Sequence, residues 1–399
     1  PLLLGTGTNS AQSGTAIIED FQITSDPRLV GSKSITPKGC FTIREAFNKA
    51  KLNLWIPDGS GSASTFGLQS GGGWTYERDF EGYHYVKFIN DISNNGIGGE
   101  QTTFSFASTS GGVVEWILIG AGGAGGHTDQ GYNGGGGGSG ALIWAKNFVM
   151  PAGQTMYARL GRGAGRQGNT SSNTAQNGGH SDFYWGAQTH NVSYWRAEGG
   201  GGGAGYASAY VAGQNGGSGG GAENASNSAD FQSNINGGIR SRTVGAQTFE
   251  LYGGRGGASA TKRSGGGGGT FSDGGHSEND SFGAQSNQFR KLTASPLGQN
   301  GGTGLFLPEW CEALNVGSHG FLASGGNGGT YDHNNESYAS GDRSAGRHGG
   351  GLAGGNQGQE GLSGKSAGDG GGGTGKWTDV GNNKSGAGGP GAFLLRWRI

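Results

Sequence analysis

The sequence predicts a mainly β fold in which strands alternate with extended, threefold glycine helices packed side by side as a bundle. Three observations predict it. Glycine supplies 95 of the 399 residues, gathered in blocks such as Gly199–Gly203 and Gly265–Gly269. Apolar runs of strand length abut those blocks, most clearly where Val113-Val114-Glu115-Trp116-Ile117-Leu118-Ile119 runs into Gly120-Ala121-Gly122-Gly123-Ala124-Gly125-Gly126. Aromatics make up 10% of the chain and hydrophobic residues 31%, concentrated in runs, which sets the chain apart from flexible low-complexity sequence.

Glycine at this density can take an extended helix of three residues per turn, about 3.1 Å rise and no internal hydrogen bonds. Its N–H and C=O groups then point outward and need partners. Without Cβ atoms such helices can lie close together and bond laterally, and only dense lateral bonding offsets the large ordering entropy of glycine. Flexible linkers between small domains are the competing account. The connectors between blocks are too short to be domains.

Glycine usage divides the chain, since only 15 of the 95 glycines precede residue 111. Residues 1–75 are expected to form an N-terminal attachment segment with one short helix. There Thr42-Ile43-Arg44-Glu45 is a capping box, Ile43, Ala46, Phe47 and Ala50 follow at helical spacing, and Pro57-Asp58-Gly59 ends the run. Residues 76–399 are expected to form the glycine-rich β domain. Its strands are Tyr83–Ile89, Thr103–Phe106, Val113–Ile119, Ala141–Val149 and Thr155–Leu160. Pro151-Ala152-Gly153 between the last two suits a type I turn and predicts a β-hairpin. At the C-terminus Phe393, Leu395, Trp397 and Ile399 share one strand face, with Arg396 and Arg398 on the other. This last strand is expected to return and pair with the early ones.

Charge and motifs exclude several functions. Net charge is −1, only 14% of residues are charged and a single Arg-Gly-Gly triplet occurs, which argues against nucleic-acid binding. No apolar stretch approaches the ~18 residues of a spanning helix, so membrane insertion is not expected. The start on Pro1 reads as loss of an initiator methionine, and the lack of a basic n-region as synthesis inside a cell. Cys40 and Cys311 exclude a disulfide framework; two buried free thiols are the favoured reading, and the sequence does not assign a single bridge between them. Gly120–Gly125 matches the dinucleotide fingerprint GxGxxG, yet no helix can follow it to face a pyrophosphate. Gly216-Gly217-Ser218-Gly219-Gly220 matches GxSxG without the strand and helix of a nucleophile elbow. His180-Ser181-Asp182 are chain neighbours, unlike a triad. Asp332, His333 and Glu336, or Asp273, His276 and Glu278, read as solvated loop groups. The expectation is therefore no enzyme, no cofactor and no metal.

Aromatics in the connectors stand out: Phe183-Tyr184-Trp185, Tyr194-Trp195, Tyr206 with Tyr210, Phe306 with Trp310, and Tyr331 with His333. They can cap the bundle ends, or form a recognition surface, since rigid aromatics dominate binding hot spots. The candidate receptor-binding residues are Tyr184, Trp185, Tyr194, Trp195, Tyr331 and His333.

Thr103–Phe106, Val113–Ile119 into Gly120–Gly126, Pro151-Ala152-Gly153-Gln154, Gly161-Arg162-Gly163-Ala164-Gly165 and the ending Gly388-Gly389-Pro390-Gly391-Ala392-Phe393-Leu394-Leu395-Arg396-Trp397 together resemble the glycine-rich domain of bacteriophage tail and receptor-recognition proteins. The long-tail-fibre tip adhesins of T-even-like phages are similar. The resemblance spans about residues 83–399 and implies a small jelly-roll-like β-framework with a bundle of polyglycine II helices, whose connectors at one end meet the bacterial surface. The ectodomain of anaplastic lymphoma kinase pairs such a framework with glycine helices too, so fold alone does not imply a phage; the near-absence of cysteine disfavours an animal receptor here.

The resulting expectation is a virion surface or tail-fibre protein, a host-recognition adhesin binding a surface glycan or outer-membrane protein through its connectors. It would be assembled in the host cytoplasm and joined to other virion subunits through the N-terminal segment, with a homotrimer as one assembly that this allows. The alternative is a purely structural virion component, a stiff spacer without receptor binding; a non-viral secreted surface protein is third.

Overall fold

The computed structural model describes residues 66–69, 75–90, 101–127, 133–166, 175–185, 194–205, 213–222, 241–244, 247–257, 264–274, 301–329, 350–351, 360–374 and 384–399. They belong to one compact unit, Thr65–Ile399. The expected helix near Thr42–Ala50 lies outside the described residues.

The described chain is mainly β. Its strands are β1 (Gly67–Leu68), β2 (Tyr76–Phe80), β3 (Tyr83–Ile89), β4 (Gln101–Ser110), β5 (Gly112–Ile119), β6 (Leu142–Met150), β7 (Thr155–Gly161), β8 (Ser181–Trp185), β9 (Tyr194–Ala197), β10 (Ser241–Val244), β11 (Gln247–Tyr252), β12 (Leu305–Phe306), β13 (Phe321–Leu322) and β14 (Ala392–Arg398). A seven-stranded sheet runs β10-β11-β6-β5-β14-β3-β2 and a five-stranded sheet β1-β4-β7-β8-β9. The C-terminal strand does return: β14 lies between β3 and β5, with Phe393 opposite both Phe88 and Leu118.

The two sheets share one apolar core, and strand alternation decides which residues enter it. Phe88, Trp116, Phe148, Phe249, Phe393 and Leu395 come from the seven-stranded sheet, Phe106, Met156, Leu160, Phe183 and Trp195 from the five-stranded one. Phe183 stacks on Phe393 with ring centroids 4.5 Å apart. In β6 a bulge serves this core. Val114 pairs with Phe148 but Trp116 with Ala145, and Asn147 absorbs the extra residue at φ 53°, a conformation asparagine tolerates. The parity shift puts Ile143, Ala145, Phe148 and Met150 all in the core.

The second face of the seven-stranded sheet is covered as well, which accounts for the unbroken apolar run in β5. Tyr85, Ile117, Ile119 and Leu394 pack against Leu305, Trp310, Leu314 and Leu322. Trp310 and Leu314 belong to α1 (Pro308–Leu314), a helix that the sequence reading missed, having placed Trp310 in a connector. Its signals are Pro308 at the first turn, acidic Glu309 beside it, and Asn315 in the left-handed conformation at the end. At seven residues it is too short to show helical periodicity. Because α1 covers this face, Arg396 is buried rather than solvated. It pairs with Glu115 at 2.8 Å, donates to the Tyr85 hydroxyl at 2.8 Å, and lies over the Trp310 and Tyr83 rings.

The hairpin expected at Pro151–Gly153 is not formed. Its turn is present, with Gly153 at φ 63°, but β6 pairs with β5 and β11 whereas β7 pairs with β4 and β8. Both edges of β6 are already occupied, so the turn carries the chain from one sheet to the other.

The glycine segments continue the strands. Beyond β5, the amides of Gly120, Gly123 and Gly126 donate to Ala141, Gly138 and Gly135; those of Ala121 and Ala124 to Gly179 and Gln176; those of Gly122 and Gly125 to Gly389 and Gly386. Successive amides thus serve three different neighbours in turn. Segment 134–141 repeats the pattern: Gly134, Gly137 and Gly140 donate to Thr374, Gly371 and Gly368, Gly135 and Gly138 to Ala204 and Gly201, Gly136 and Ser139 to Gly265 and Gly268. Its carbonyls accept from three further segments, through Gly123, Gly221 and Gly326 among others. Glycine is required here by contact. A Cβ on Gly137 would land on the Gly123 carbonyl and one on Gly126 on the Ala204 carbonyl.

Candidate functional site

Strand register decides where the expected site residues stand. Tyr184 and Trp185 lie in β8, Tyr194 and Trp195 in β9, so these are strand residues and not connectors. Phe183 pairs with Trp195 and Tyr184 with Tyr194, and alternation sends the two pairs to opposite faces. Trp195 is in the inter-sheet core, and half-buried Trp185 edges that core against Phe148 and Phe183. Tyr184 and Tyr194 are on the outer face, yet only 8% and 3% exposed. The four residues therefore do not form one exposed aromatic patch. Tyr331 and His333 lie outside the described residues.

On the outer face of the five-stranded sheet the register builds two rows. Thr103, Arg159, Asp182 and Arg196 stand side by side, and next to them Ser105, Tyr157, Tyr184 and Tyr194. Asp182, fully buried, is the hub. Its Oδ2 accepts from Arg159 Nε at 2.8 Å and from Arg159 Nη2; its Oδ1 accepts from Arg196 Nε at 2.8 Å and from the Tyr194 hydroxyl at 2.8 Å. His180 Nε2 is 3.5 Å from Oδ2. Burial by itself would raise the Asp182 carboxyl, but hydrogen bonds from Arg196, Tyr194 and Arg159 outweigh it and hold the group below its ordinary value. Burial, with the charge of Asp182, pushes the Tyr194 phenol up to about 12. Burial lowers His180, aided by Arg196 and Arg159 against the pull of Asp182. A carboxylate so fully engaged neither gives nor takes a proton near neutrality, so this cluster offers charge and hydrogen-bond donors rather than acid–base chemistry.

Sequence reasoning missed Arg159, Asp182 and Arg196 as a group. The signal was a spacing of two in three strands, Tyr157-Ala158-Arg159, Asp182-Phe183-Tyr184 and Tyr194-Trp195-Arg196, each alternating a core residue with outward ones. Two other sequence motifs are accounted for by packing. Ser218 of the GxSxG match is buried with its Oγ 2.8 Å from Ser139 Oγ, and Gly120–Gly125 is part of the glycine array. Cys311 is a buried free thiol, pushed up to about 12 by burial, and Cys40 lies outside the described residues. Among the described residues no cluster of His, Cys, Asp and Glu could hold a metal ion.

The array has two poles. At one, Gly120, Ala141, Glu198, Gly161 and Gly391 hand the chain to the sheets. At the other, Gly126 bonds Gly135, Gly134 bonds Thr374, Gly135 bonds Ala204, Ala204 bonds Gly221, Gly329 bonds Gly134, and Ala222 bonds Gly257. The stretches 128–132, 206–212, 223–240, 258–263, 330–349 and 375–383 each leave a segment that ends at this second pole.

No curated protein matches the chain. Residues 99–248, which begin just before β4, take in the Asp182 cluster and the central 134–141 segment and end within β11, match the family model of a glycine-rich domain.

Proposed function

We propose that the chain is a virion surface or tail-fibre protein acting as a host-recognition adhesin. In this reading the glycine segments are polyglycine II helices and the sheets a small jelly-roll-like framework that holds them. Amides that serve three neighbours in rotation are what a helix of three residues per turn requires, which supports the first point. The observation that carries the function is that six described segments end at the pole away from the sheets, each where one of these connectors begins. An array from whose end many loops start is a scaffold for recognition, as loops on a rigid frame are in other binding proteins. Tyr206, Tyr210, Tyr331 and His333 all fall in these connectors. The partner is a bacterial surface glycan or outer-membrane protein. Residues 1–75 attach the chain to other virion subunits, with a homotrimer as the assembly to test.

The test uses the purified full chain, measuring its binding to a panel of bacterial cells and its ability to block phage adsorption to the strain it binds. Replacing Tyr331 and His333 together by Ala is expected to reduce binding about tenfold or more, since buried aromatic anchors dominate such interfaces, while the melting temperature stays unchanged. A well-folded chain that binds no strain and blocks no adsorption would favour the spacer role instead.

A further inference from the structure

The outer face of the five-stranded sheet keeps donors that its own fold does not use. Arg159 spends Nε and Nη2 on Asp182, and Arg196 spends only Nε. Among the described residues Arg159 Nη1 and both terminal nitrogens of Arg196 make no further bond, and the two side chains are 25% and 31% exposed. Asp182 lies behind them with its oxygens taken, so the outward side of the cluster is N–H donor. Next to it, Tyr157 stacks on Tyr184 at 5.3 Å, which covers one side of its ring. On its other side the register places Ser105, and beside Arg159 it places Thr103; both are short and exposed. Among the described residues the strand that carries them is the sheet edge at this height, since β1 reaches only Ser108 and Ser110. The result is an open ledge with a hydroxyl floor, an aromatic flank and guanidinium donors at one end.

We infer that this ledge binds an acidic saccharide, with a sugar ring against Tyr157 over Ser105 and its carboxylate or phosphate on Arg159 and Arg196. The guanidinium fork matches a planar anionic group, and a tyrosine ring offers apolar surface to a sugar face. A nucleic acid would need a basic track for successive phosphates, which two arginines around one carboxylate do not supply. The site is separate from the connector pole and stands whether or not the adhesin reading holds.

The full chain is titrated with trigalacturonate, with its neutral methyl ester, and with hexaglutamate, followed by calorimetry and by melting temperature. Trigalacturonate is expected to bind at least about tenfold more tightly than the ester, the step one charge-assisted pair accounts for. Tyr157→Ala and Arg196→Gln are each expected to weaken it by about the same factor. Glu198→Gln should strengthen it, because the Glu198 charge reaches Arg196. Tyr157 makes no bond to Asp182, so its variant reports on binding even if Arg196→Gln loosens the cluster. Equal binding of acid and ester, no binding at millimolar concentration, or full affinity in the Tyr157 variant would overturn the inference. Hexaglutamate binding as tightly as trigalacturonate would do so too, by assigning the ledge to acidic peptides.

Discussion

Two buried aspartates show how partner chemistry sets the behaviour of one residue type. Asp182 faces two guanidiniums and a phenol, and those hydrogen bonds hold its carboxyl below the ordinary 3.8 in spite of burial. Among the described residues Asp369 accepts from backbone amides, Ser324 at 2.9 Å and Ser366 at 2.9 Å with Lys365 beside them, and burial pushes it up to about 7. The signs of the linkage are therefore opposite. Asp182 stabilises the fold above its unfolded value of 3.8, and that stabilisation is lost as the pH falls through its lower folded value. For Asp369 the fold is favoured below 3.8 and loses stability as the pH rises towards about 7. Unfolding midpoints measured across this range should show it: Asp182→Asn flattens the acid limb, Asp369→Asn the decline towards neutrality. At pH 7, Asp182→Ala should cost about 3 kcal/mol, as removal of one member of a buried charge cluster does, reduced in part by the solvent that reaches both arginines.

At the scale of elements, glycine does two different jobs that substitution separates. In segment 134–141 the glycines bond neighbouring segments with no room for a side chain; Gly137→Ala would drive a methyl group into the Gly123 carbonyl. Its expected cost is about 4 kcal/mol or more, because backbone on every side cannot yield as a core side chain does. Gly153 meets nothing within 4 Å of an added Cβ and is needed only for its φ of 63°. Gly153→Ala should cost about 1 kcal/mol. Chemical denaturation of the two variants distinguishes contact from conformation, and similar losses would contradict the close packing of the array. The sequence showed that glycine was structural at both places, since a block and a proline-glycine turn read differently. It did not show that the two strands flanking the turn lie in different sheets, because the occupied edges of β6 belong to β5 and β11.

For the whole molecule, the order of local stability should follow distance from the array centre. Segment 134–141 bonds six neighbouring segments, whereas β2 is an edge strand with an exposed face. Native-state hydrogen exchange is expected to find the amides of 135–140 opening only with global unfolding, and those of Tyr76–Phe80 opening at lower free energy. Equal protection would mean that the array adds no stability beyond the sheets. The same organisation separates two features in space: the stretches that follow six glycine segments leave one pole, while the charged ledge sits on a sheet joined to the other.

By itself the sequence determined the strands within 83–89, 103–119 and 141–160, the requirement for ordered glycine and the return of the C-terminal strand, because each rests on local chemistry: alternation of side chains, missing Cβ atoms and a two-faced apolar run. In the sequence β8 and β9 read as connectors. Tertiary structure alone decided what those elements face. Tyr184 and Trp195 are both candidates for a recognition surface by sequence, and the pleat sends them to opposite faces. Arg396 shares a strand face with Arg398 and is buried because α1 covers it there. Arg159, Asp182 and Arg196 are scattered along the chain and meet only because β7, β8 and β9 are neighbours in one sheet. Pairing between strands is settled by register and edge occupancy over long separations, and no window of sequence contains that information.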